Sequence, residues 1–128
     1  MRLDVQQLPG SLREVIDVIG IDATLRLVEH LGGTRLYIPE AITPEHPVVA
    51  MLGHHNGFAL AERFGGEQLL LPRCIAAVRA VRDASIRAQR AGGASTKKLA
   101  LSHGLTERQI YAILAGGEEE ESPQQELL

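Results

Sequence analysis

The side chains best placed for chemistry are cations set at fixed offsets around a glycine, and the chemistry they suit is recognition of an extended anion. In the stretch TKKLALSHGLTERQIYAILA, residues 96–115, Arg108 brings a planar five-donor fork that can grip a guanine edge with two hydrogen bonds. Lys97 and Lys98 bring point charges suited to phosphate oxygens. At helical spacing Glu107, Arg108, Tyr111 and Ala112 fall on or near one exposed side of a helix, and Thr106 stands at its start, within reach of a phosphate or a base edge.

The same stretch contains what is needed to hold those groups still. Ala100 is small enough for two helices to cross closely, and Gly104, four residues on, supplies the positive φ of a tight turn at little cost. Leu105, Ile110 and Ile113 form the apolar side of the second helix. Thr106 with Gln109 has the capping-box form, which starts that helix just after Thr106 and runs it from about Glu107 to Ala115. Small residue, glycine and branched apolar residues in this order predict a helix-turn-helix that lays its second helix in a DNA major groove; the plain alternative is a helical hairpin without a DNA role. Upstream, Arg73 to Arg90 reads as the longest helix. Ala77, Val78, Val81, Ala84 and Ala88 lie on one side, Arg79, Arg87 and Arg90 on the other, and Arg82 at the margin. Arg79, Arg87 and Arg90 join Lys97 and Lys98 as expected phosphate contacts.

Charge is partitioned along the chain in the way this reading requires. Residues 1–72 hold five Arg against nine acidic groups, a net of −4; residues 73–115 hold eight Lys and Arg against Asp83 and Glu107, a net of +6; residues 116–128 hold five Glu and no cation, a net of −5. The overall charge of −3 therefore conceals a basic block that coincides with the helix-turn-helix, the electrostatic footprint of phosphate binding. Three regions follow: a helical region 1–72, a helix-turn-helix domain 73–115, and an acidic, disordered tail 116–128.

Region 1–72 is repetitive. A capping-box pattern at Ser11 and Glu14 opens a helix carrying Leu12, Val15, Ile16 and Ile19, and Gly20 ends it or its first segment. A second helix, which Asp22 can cap, carries Leu25, Val28 and Leu31 inward and stops at Gly32-Gly33, before a short strand, TRLYIP. After a proline-rich connector the unit returns at an offset of 33: Val15 with Val48, Gly20 with Gly53, Leu27 with Leu60, Gly32-Gly33 with Gly65-Gly66, Leu36 with Leu69 and Pro39 with Pro72. Two copies point to an internal duplication and fall short of a solenoid. The second strand, in GGEQLLLP, needs a partner for its backbone groups, either TRLYIP of the same chain or the equivalent strand of another subunit. Gly65-Gly66 reads either as a close-approach element or as a helix stop followed by a turn.

Other chemistries find no support. His54 and His55 are adjacent and diverge by about 100° on a helix, and no ligand stands at metal-binding spacing around the five histidines. The lone Cys74 reads as a small apolar residue in a reducing compartment. No phosphate loop, dinucleotide motif, signal core or membrane-length run is present. A cytoplasmic protein without catalytic residues, metal or cofactor is expected.

Taken together, LGGTRLYIP, FGGEQLLLP and GLTERQIYAIL resemble the Mor transcription activator family of Mu-like phages and prophages, which includes Mor and the related Mu C activator; the likeness extends over roughly residues 8–115. It implies a mainly α fold, with a helical dimerisation region, a short β-strand linker and a C-terminal helix-turn-helix DNA-binding domain. It also implies a homodimer whose strands pair between subunits, with the strand after the second Gly-Gly near the DNA minor groove. Gly65, Gly66 and Gln68 thereby become DNA-proximal positions. The chain departs from the family in carrying Leu70 where an aromatic residue is usual, while Tyr37 occupies that place in the first copy. A dimer would favour an imperfect inverted repeat, and family analogy names the RNA polymerase α or σ subunit as a further partner. The rival expectation is a structural or protein-interaction module whose helix-turn-helix binds another protein.

Overall fold

The computed structural model describes residues 8–121. The order of elements is α1 (Gly10–Leu31), β1 (Thr34–Ile38), α2 (Pro47–Leu52), α3 (His54–Phe64), β2 (Glu67–Leu71), α4 (Ile75–Ala91), α5 (Thr96–His103) and α6 (Glu107–Glu121). The fold is mainly helical, with one two-stranded antiparallel sheet. The described residues divide into two compact units, one up to Arg79 and one from Ala80 onward.

In the first unit, glycines set the boundaries that apolar periodicity alone leaves open. Gly20 (φ 86°, ψ 166°) kinks α1 into two segments, and Thr24 Oγ1 donates to the freed Gly20 carbonyl at 2.8 Å. Gly53 (φ 92°, ψ 162°) separates α2 from α3 in the same conformation. With its two segments α1 is longer than α4, at 22 residues against 17, so the Arg73–Arg90 segment is not the longest helix. The expected capping box at Ser11 is not used. α1 begins two residues earlier, after Pro9, whose carbonyl accepts from the amides of Leu12 and Arg13; Ser11 is then already inside the helix.

The strands find each other within the chain. Thr34 pairs with Leu71, Leu36 with Leu69 and Ile38 with Glu67. Ile38, Leu69 and Leu71 are buried, together with Leu12, Val15, Leu27, Leu60 and Phe64, and α1 packs on both α3 and β2. Of the two partners that the sequence leaves open for the second strand, the structure shows TRLYIP of the same chain.

The second unit has its own core of Ile86, Leu99, Ala100 and Ile110, flanked by Ala94, Leu105, Ile113 and Leu114. Val78 and Val81 are buried as expected, but Ile86 is fully buried while Ala77 and Ala88 are exposed, so the buried stripe of α4 turns towards Ile86. The large β-branched side chain takes the buried place, and alanines gain little from burial. α6 also differs from expectation at its end. It continues past Ala115 to Glu121, since glutamate is a good helix former and the helix propagates through the two glycines. The remainder of the expected disordered tail, 122–128, lies outside the described residues. No described helix is long and apolar enough to cross a membrane.

Candidate nucleic-acid interface

The turn between α5 and α6 is built as the spacing requires. Gly104 adopts φ 68°, ψ 34°, a left-handed cap, and the amides of Gly104 and Leu105 both donate to the Ala100 carbonyl. The Ser95 hydroxyl starts α5 by accepting from the Lys98 amide at 3.0 Å. At the head of α6 the capping box is complete. The Thr106 amide donates to Gln109 Oε1 at 2.8 Å, and the Gln109 amide donates to Thr106 Oγ1 at 3.1 Å. These reciprocal bonds satisfy donors that a helix start leaves open, and fully buried Ile110 locks the first turn into the core.

With its inner side fixed by Ile110, α6 turns Glu107, Arg108, Tyr111 and Ala112 outward, all of them exposed. Glu107 and Tyr111 are tied to the start of α5 through Thr96, whose hydroxyl donates to Glu107 Oε1 at 3.2 Å and lies 3.4 Å from the Tyr111 hydroxyl. Thr96 is a positioning residue that helical spacing within either helix does not reveal; only their crossing brings it there. Lys97, Lys98 and Arg108 are exposed and take part in none of the ion pairs among the described residues. Their charges face water, where a counter-anion gains most from meeting them.

The arginines of α4 are differently placed. Arg87 Nε donates to the Ile113 carbonyl at 3.2 Å and so ties α4 to α6. Arg90 closes the next loop, donating to the Ala94 carbonyl at 3.0 Å. Arg79 belongs to the first unit and pairs with Glu29 at 3.5 Å. Arg82 pairs with its neighbour Asp83 at 3.0 Å and is largely buried.

In the first unit, Gly65 and Gly66 have clear packing reasons. A Cβ on Gly65 would stand 2.5 Å from the Ala61 carbonyl oxygen and 3.0 Å from Glu40 Cα, and Gly66 has a φ of +85°. Gln68 is exposed and pairs across the sheet with exposed Tyr37, as Leu70 does with Arg35. These four positions share the outer face of the sheet. The aromatic residue missing at Leu70 is thus restored to that face by the first copy.

The histidines serve local structure: His46 Nδ1 accepts from the Val48 amide at the start of α2, and His54 lies edge-on to Phe58. Burial pushes the Cys74 thiol above its ordinary range, away from the reactive thiolate. No cluster of three or more metal-ligating side chains occurs among the described residues.

The second unit thus has a small aliphatic core and an outward face of α6, with Lys97, Lys98 and Arg108 exposed and outside the described ion pairs. Residues 45–127 match the Mor transcription activator family, and the chain belongs to that family. The matched segment takes in the second copy of the repeat and everything to residue 127, and leaves the first copy outside. No curated protein and no solved structure matches the chain.

Proposed function

We propose that this protein is a sequence-specific, double-stranded-DNA-binding transcription regulator, an activator of phage or prophage genes, in which α5 and α6 act as a helix-turn-helix. The observation that carries the reading is the outward face of α6, where Arg108 is exposed and in none of the described ion pairs, as are Lys97 and Lys98 on α5, while the opposite face is locked by Ile110. α6 is the recognition helix. Arg108 reads a base edge, Tyr111 and Ala112 contact neighbouring bases, and Glu107 and Thr106 lie at its leading end. Lys97 and Lys98 contact phosphates. Arg79, Arg87 and Arg90 contribute less, since each head group already has a partner in the protein. The outer face of the sheet, with Gln68 and Tyr37 beside Gly65-Gly66, is a secondary DNA-proximal surface. Contact with the RNA polymerase α or σ subunit rests on family analogy.

A protein-binding role for the same helices is favoured by Leu101, which is 76% exposed on α5. Selection of bound sequences from a random duplex library separates the two readings. A recovered consensus, lost on mutation of Arg108, is expected; a library that stays random after repeated rounds would overturn sequence-specific binding.

A further inference from the structure

The duplicated unit folds on itself with two-fold symmetry. Shifting residue numbers by the repeat offset of 33 turns the pair Thr34 with Leu71 into Glu67 with Ile38, and the pair Arg35 with Leu70 into Gln68 with Tyr37; both are observed. The axis passes through Leu36 and Leu69, which pair with each other. Backbone angles obey the same relation. Gly32 (φ −57°, ψ 138°) matches Gly65 (φ −56°, ψ 134°), and Gly33 (φ 88°) matches Gly66 (φ 85°). Both ends of the ladder are closed by equivalent bonds, Gly33 amide to Leu71 carbonyl and Gly66 amide to Ile38 carbonyl. Burial follows suit: Val15 and Val48, Ile19 and Leu52, Leu27 and Leu60, and Ile38 and Leu71 are all in the core.

A two-fold interface uses one surface twice, so each half must present a self-complementary patch. Here both patches are consumed inside one chain. Among the described residues of this unit, the large apolar side chains left exposed are Tyr37, Phe58 and Leu70. A stable protein interface buries about 1,200–2,000 Å², well beyond what three partly exposed side chains supply. The family match over residues 45–127 takes in one copy of the repeat and the helices that follow it.

We propose that α1 to β2 form an intramolecular dimer complete within one chain, and that the protein engages DNA as a single-headed monomer, one chain to one half-site. The first part stands on the symmetry alone; the second rests on the DNA-reading function proposed above.

The test uses the full chain carrying Tyr37→Cys and Gln68→Cys in a Cys74→Ser background, treated with a short bismaleimide. Both introduced thiols lie at exposed, directly paired positions. An internal link that leaves the chain at monomer mass on a denaturing gel is expected, with sedimentation equilibrium of the unsubstituted chain giving 13.9 kDa across a wide concentration range. A covalent dimer, an absent link, or a mass near twice that value would overturn the intramolecular pair. Native mass measurement with a selected duplex should show one chain per half-site. Cooperative loading of two chains would overturn the single-headed mode, whereas no binding at all would sink the DNA-reading function and leave the crosslinking result intact.

Discussion

Arg108 and Thr106 are two positions apart yet do different work. The Thr106 amide and hydroxyl are both engaged by Gln109, so loss of that hydroxyl would first be felt as a weaker helix start. Arg108 is exposed and takes part in none of the ion pairs among the described residues, so its removal leaves the fold with nothing to repair. Arg108→Ala is therefore expected to weaken binding to the selected duplex by about 1–3 kcal/mol and to relax preference at one base pair, with the melting temperature unchanged. Competition gel shifts decide it, since an equal loss on selected and random DNA would place Arg108 on a phosphate instead of a base.

At the scale of elements, glycine is where sequence and structure can be compared most directly. Gly104 and the Thr106–Gln109 cap were readable because each depends on residues within one turn of the chain. The repeat was readable for the same reason, as a recurrence of Gly-Gly and proline at fixed offsets. What could not be read was how far the buried stripe of α4 turns: Val78 and Val81 are buried as their spacing implies, but Ile86 is buried through contact with Leu99 and Ile110 far along the chain. Arg87 escaped for a similar reason: its bond to the Ile113 carbonyl joins two helices. The role of Gly65 was open between packing and DNA approach, and its surroundings now give a packing prediction. A methyl group there meets the Ala61 carbonyl oxygen at 2.5 Å, and on Gly32 it meets the Val28 carbonyl oxygen at 2.6 Å. Gly65→Ala and Gly32→Ala should each destabilise the chain by about 1–3 kcal/mol, the usual cost of overpacking, as read from denaturant midpoints. If Gly65→Ala instead loses DNA affinity at full stability, the glycine is there for the DNA.

Over the whole molecule the charge is negative, −3, and this limits how DNA can be held. A protein of that sign gains no general attraction to a duplex, so affinity must come from the local excess of +6 carried by residues 73–115. Within it, several arginines are already committed: Arg82 to Asp83, Arg87 to Ile113, Arg90 to Ala94 and Arg79 to Glu29. Lys97 and Lys98 remain as the principal proposed phosphate contacts. Neutralising two phosphates gives a slope of about −1.8 in log K against log salt, which is roughly a 12-fold loss of affinity between 50 and 200 mM salt. Lys97→Ala should bring the slope down by about one, with weakening nearly uniform across sequences. Affinities measured over a salt series for both proteins check this. An unchanged slope would remove Lys97 from the interface, and a flat salt dependence in the unsubstituted protein would favour a protein partner over DNA.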